Sequence, residues 1–310
     1  MKHSTRITTL LLIMFLATQL LGILVIKQYA PEVVPVTDSE GNITNVTRYD
    51  IPYGMNPPPD LEPKYSLLSI VVAIILGIVI MLFLMKHNVE TFFRIWFFVV
   101  VTIAIAITFN AFLKYTSIPA PQIIALAIAL PLAFLKIFKR NILIHNLSEL
   151  AIYPGIAVVI APLFNLTTAI ILTILISLYD MYAVWHTGIM QKMAKYQIQK
   201  IRVFTGFFLP YLGRKEREYL AQAKAQRLKK KIKVNIAILG GGDVVFPLIL
   251  AAVVYNTSSV LPALFVSFGA TLALATLFFF SKKGKFYPAM PFIATGCFIA
   301  LIAAYLSNLL

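Results

Sequence analysis

The chain has 310 residues, 60% of them hydrophobic, with a mean hydropathy of +0.86; soluble domains stay near about 45–50% apolar, so a pair of ordinary soluble domains is excluded in favour of a membrane bundle. The formal charge is +15, but the basic residues crowd beside apolar spans, where they set topology, and no nucleic-acid partner is expected. Cys297 is the only cysteine, which excludes an intrachain disulfide and a four-cysteine zinc site.

Nine apolar spans follow in chain order, at 7–26, 65–85, 93–113, 119–138, 147–164, 167–187, 234–254, 261–280 and 289–307. Most approach the roughly 20 residues that cross a bilayer core. The first follows Lys2 and Arg6, as a signal peptide would, but its apolar run is too long for one and no clear small-x-small cleavage site follows. Pro131 predicts a kink in the fourth span, and Pro162 bounds the fifth. The fold expected is an all-α membrane protein of nine transmembrane helices in a single membrane domain.

Charge sets the orientation. With the N-terminus in the cytoplasm, 23 of the 27 basic residues fall inside, among them Lys86, Arg94, Lys136, Lys139, Arg140 and the thirteen between Lys192 and Lys233. Only Lys27, Arg48, Lys64 and Lys114 fall outside. Every short inside loop obeys the positive-inside rule separately. The C-terminus is then outside. The chain divides into helices one to six over 1–187, with a Pro- and acid-rich outside loop at 31–64, a basic cytoplasmic loop at 188–233, and helices seven to nine over 234–310. Within the basic loop, 224–233 has a helical composition. Phe204, Phe207, Phe208, Leu209, Tyr211 and Leu212 form an apolar island there. It reads as an interfacial segment or as a plug near a catalytic site. Asn42 and Asn45 open two outside glycosylation sequons, which matter only in a host that glycosylates.

Ten of the twelve acidic residues are expected in loops or at helix ends; Asp180 and Asp243 stand inside apolar spans. Each costs about 2.5–3.5 kcal/mol to place there, so a functional role is expected. Span six runs inward and span seven outward, so the two carboxylates meet at one level, roughly 10–14 Å from the cytoplasmic edge at 1.5 Å per residue. Facing carboxylates in low dielectric cannot both ionise easily, and the pair shares a proton. That state suits hydrolysis: the ionised member takes a proton from water, and the neutral one donates to the peptide carbonyl.

Gly240, Gly241 and Gly242 precede Asp243, weaken a helix and leave room for another backbone. Tyr179 precedes Asp180, and its hydroxyl could bond a carboxylate or substrate. Pro288, Ala289, Met290 and Pro291 open the last span with a short extended piece, whose free N–H groups could pair with an unwound substrate. His3, His87, His145 and His186 form no metal motif, so no metal or cofactor is expected. Intramembrane aspartates beside a glycine-broken helix also serve an ion- or proton-coupled transporter or a cation leak channel, which is the alternative reading.

Tyr179-Asp180, Gly240-Gly241-Gly242-Asp243 and Pro288-Ala289-Met290 resemble the three signatures of the presenilin and signal peptide peptidase family of intramembrane aspartyl proteases. Their order within the nine-span plan most resembles the prokaryotic presenilin homologues. The resemblance implies that Asp180 and Asp243 are catalytic. It also implies that Pro288, Ala289 and Met290 help position substrate, with Met290 standing where the family has leucine. The implied localisation is integral membrane, the cell membrane if the source is prokaryotic. The implied partners are the lipid bilayer and transmembrane-helix substrates with outside N-termini; homo-oligomerisation is left open.

Overall fold

The computed structural model describes residues 5–37, 43–58, 63–87, 90–116, 118–139, 141–187, 204–211, 235–281 and 287–309. The helix expected at 224–233 lies outside the described residues. Nine α-helices are present among them: α1 (Thr5–Lys27), α2 (Pro63–His87), α3 (Glu90–Leu113), α4 (Pro121–Phe138), α5 (Ile142–Ile160), α6 (Leu166–Tyr182), α7 (Gly241–Thr257), α8 (Val260–Phe280) and α9 (Met290–Leu306). Six are long and apolar enough to cross a membrane; α7, α9 and the described apolar part of α2 are shorter.

The expected all-α fold is corrected by two antiparallel hairpins, β1 (Glu32–Thr37) with β2 (Ile43–Arg48) and β3 (Gly206–Tyr211) with β4 (Asn235–Gly240). The second matters most. Residues 235–240, expected as the start of the seventh span, are a strand, and the helix begins only at Gly241. Ala237 and Leu239 are buried while Ile236 and Ile238 are exposed. That alternation has period two, which a short apolar run does not separate from a helix by hydropathy alone. Within the apolar island, of which Leu212 lies outside the described residues, 206–211 pairs with β4 and buries Phe207 completely.

α1 is built into the centre of the bundle, against α5, α7 and α8. Small residues let these helices approach. A Cβ on Gly22 would lie 2.4 Å from a Leu248 methyl, one on Gly155 2.0 Å from the Ala104 carbonyl oxygen, and one on Gly269 2.4 Å from the Gly296 carbonyl oxygen. Lipid tails give apolar helices no solvent-driven reason to associate, so such close backbone packing carries the association instead. The buried Gln19 amide in α1 donates to the Val244 carbonyl of α7 at 2.9 Å, which ties the first helix to the start of the seventh.

Two caps set boundaries near the site. Asn141 accepts hydrogen bonds from the N–H groups of Leu143 and Ile144 and starts α5 at Ile142, five residues before the expected 147. Glu149 therefore lies in the helix interior rather than at its end. Asn165 and Thr168 exchange side-chain and backbone bonds as a capping box that starts α6.

Candidate active site

Asp180 lies in the last turn of α6, and Asp243 is the third residue of α7. Asp243 is therefore not nine residues into a helix, and the depth computed from helical rise does not hold for it. α6 and α7 pack against each other, with Asp180 in the last turn of one and Asp243 in the first turn of the other. Asp180 is only 5% exposed, and Asp243 is half-buried.

Each carboxylate is held at a helix N-terminus. Asp243 reaches back toward the backbone of Gly240, the residue that caps α7. Asp180 accepts the N–H of Met290 at 3.0 Å, with Ala289 supplying a second backbone contact. Met290 is the first residue of α9. The first N–H groups of a helix have no partner inside it and carry partial positive charge. The N-termini of α7 and α9 thus each present backbone N–H groups to one carboxylate.

This geometry revises the role expected of the Pro288-Ala289-Met290 segment. The Met290 N–H, expected to pair with substrate, donates to Asp180 instead, and the Ala289 carbonyl accepts the N–H of Ile293. Pro288 and Met290 are buried. The segment holds Asp180 through the backbone of Met290 and Ala289.

The glycines divide in role. A Cβ on Gly241 would lie 2.9 Å from the Tyr153 hydroxyl, so glycine lets α7 start closest against α5. Gly242 is exposed, and a Cβ there would meet only the Phe246 ring at 3.5 Å. Gly240 faces the Asp243 carboxylate. Tyr179 is 43% exposed on α6, within electrostatic reach of Asp180.

The edge of the hairpin is selective. Asn146 of α5 donates its amide to the Phe208 carbonyl and accepts the Phe208 N–H, both at 3.0 Å, as a neighbouring strand would. His145 meets the Gly206 carbonyl at 2.8 Å. The outer edge of β3 is thereby occupied. Residues of an antiparallel pair point alternately toward and away from the partner strand. In this register the backbone groups of Ile236, Ile238 and Gly240 turn to the outer edge of β4. That edge runs directly into Asp243.

Reading the sequence missed Lys136, His145, Asn146, Glu149 and Tyr153. Lys136, expected to face the inside, and Glu149, expected in a loop or at a helix end, are both buried inside helices and paired with each other. The spacing of His145 and Glu149, one helical turn apart, was the available signal.

A sequence profile described as "Signal-peptide peptidase, presenilin aspartyl protease" matches residues 55–309. No curated protein matches the chain. Among solved structures, a presenilin family intramembrane aspartate protease in a C222 crystal form is similar with a TM-score of 0.61 and 15% identity, over 97% of this chain and 99% of that one. A presenilin family intramembrane aspartate protease in a P2 form gives a TM-score of 0.57 and 15% identity, over 96% of each chain. At that identity the likeness is one of fold. With the profile match over most of its length, the chain belongs to the signal peptide peptidase and presenilin family of aspartyl proteases and is a multi-pass intramembrane endopeptidase.

Proposed function

We propose that Asp180 and Asp243 are the catalytic pair, and that they hydrolyse peptide bonds within transmembrane helices of type I orientation. The carrying observation is that two helix N-termini, those of α7 and α9, converge on two carboxylates brought together from α6 and α7. The ionised carboxylate takes a proton from water as the water oxygen attacks the scissile carbonyl carbon. The neutral carboxylic acid gives its proton to the carbonyl oxygen. Collapse of the tetrahedral diol breaks the C–N bond, and the leaving nitrogen takes a proton from the pair. Helix N-termini aimed at the site offset the cost of the one negative charge that this cycle keeps.

A helical substrate must first unwind, because its carbonyls are held in its own ladder and lipid offers no replacement partner. The outer edge of β4 is the surface that supplies those partners, and the exposed Gly242 leaves space in front of Asp243. The Met290 and Ala289 backbone groups act on Asp180 rather than on substrate. In this reading the N-terminus and the 188–233 loop are cytoplasmic, as the distribution of basic residues favours, and the chain crosses the membrane nine times.

The test is purified protein in detergent with a type I transmembrane peptide, its products identified by mass spectrometry. Cleavage inside the span, faster for a Gly-softened helix than for a Leu-rich one, is expected. Ion flux across sealed vesicles that persists with an aspartyl-protease inhibitor, without cleavage, would favour a transporter instead. Gly242→Leu should keep the fold, since its Cβ has room, and should block cleavage by filling the space before the pair.

A further inference from the structure

Beside the hairpin lies a second cluster of ionisable groups, one that hydrolysis does not use. Lys136 of α4 and Glu149 of α5 form an ion pair whose side chains are each 1% exposed. The Lys136 ammonium also meets His145 Nδ1 at 3.2 Å. On the far side of the ring, His145 Nε2 meets the Gly206 carbonyl oxygen at 2.8 Å. An ammonium only donates and a carbonyl only accepts. Nδ1 must therefore be the acceptor and Nε2 must carry the hydrogen. Glu149 Oε1 also lies 3.7 Å from Nε2, so the buried pair brackets the imidazole and keeps its Nε2–H directed at β3.

Gly206 is a demanding place for that bond. Its φ is +136°, and a Cβ there would lie 2.4 Å from the Leu239 carbonyl oxygen. The residue pairs with Gly240, three positions before Asp243. Next to it, Thr205 accepts the Gly241 N–H at 3.3 Å. A shift at Gly206 therefore passes directly to the strand end that leads into the site.

We infer that Lys136, His145 and Glu149 form a positioning relay that fixes β3, and through it the β4 edge, in the register in which substrate is presented to Asp243. None of the three touches the reacting atoms. The relay acts on where and how well a strand is seated. A buried ion pair adds little to stability compared with apolar residues of similar size, and orientation is the use that its geometry supports here. The inference rests on the proposed use of the pair of aspartates and of the β4 edge.

The experiment compares the full-length protein with His145→Leu, His145→Gln and the paired change Lys136→Met with Glu149→Leu. It measures kcat/KM and cleavage positions on a transmembrane peptide, and hydrogen exchange of the 206–211 and 235–240 amides. His145→Leu should lower kcat/KM by about ten- to a hundredfold, spread the cleavage positions and speed exchange in the hairpin. His145→Gln, whose amide nitrogen replaces Nε2 as donor, should restore a single dominant cleavage position and most of the rate. The paired change leaves no buried charge alone, frees the imidazole to turn over, and should spread the cleavage positions. Wild-type positions and exchange in both His145→Leu and the paired change would overturn the inference. So would His145→Gln as impaired as His145→Leu, which would mean that packing alone is at work. If His145→Leu does not fold, the paired change decides by the same readings. If the unaltered protein cleaves nothing, the proposed function fails, while the exchange data still decide whether the relay holds the hairpin.

Discussion

The two helices that carry the aspartates are built differently. α7 is a core element, with Val244 and the unbroken run Pro247 to Val254 all buried. α6 is more peripheral: Ile171, Ile174, Leu175, Leu178, Tyr179 and Tyr182 are all exposed on it, and its buried positions are mostly small or polar. α7 is tied to α1 through Gln19 and wedged against Gly22 through Leu248. The described part of α2, which also packs on α6, is exposed along most of its length. One carboxylate is thus fixed by the core, and the other is fixed mainly by the backbone N–H groups that open α9. α7 thus forms a packed wall of the proposed site and α6 an exposed one.

The comparison breaks most severely at the carboxylates themselves. Asp180→Asn and Asp243→Asn should each lower kcat/KM by at least about 10²–10⁴-fold, because an amide neither accepts nor releases the proton. Both should keep the fold, since neither removes a packed apolar group; turnover within about tenfold of the unaltered protein by either folded variant would end the two-aspartate reading. At the next level, Leu248→Ala should destabilise by about 2–5 kcal/mol, as other buried leucine truncations do. A melt of purified protein in detergent reads this, and an unchanged Tm would show that α7 is not the packed wall.

Gly241→Ala should cost about 1–3 kcal/mol by pressing its methyl on the Tyr153 hydroxyl. Tyr153→Phe in the same chain removes that oxygen. A double-mutant cycle should then recover about 0.5–3 kcal/mol of the loss, and additive effects would mean that α7 and α5 do not meet as described. The smallest effect is expected on the other helix. Leu178 is 57% exposed, and Leu178→Ala should change stability by no more than about 0.5 kcal/mol. A loss comparable to that of Leu248→Ala would erase the distinction between the two walls.

Composition and pattern by themselves determined much of this protein. Hydropathy marked the apolar spans because bilayer thickness fixes how long an apolar helix must be. Asp180 and Asp243 stood out because a carboxylate in an apolar span has few uses other than function. What the sequence did not decide was where extended backbone interrupts those spans. Asn235 to Leu239 is apolar enough for a helix, and only the partner strand 206–211, reached across a long intervening stretch, makes it a strand. Nor did it decide what the Met290 N–H bonds to, because Asp180 lies 110 residues away and the contact exists only once α6 and α9 pack. Lys136 stands in the sequence as one of the inside-facing basic residues and Glu149 as an acid of a loop or helix end. Each was hidden by the other, because a buried charge is tolerable only with its partner in place, and pairing between α4 and α5 is a fact of tertiary structure.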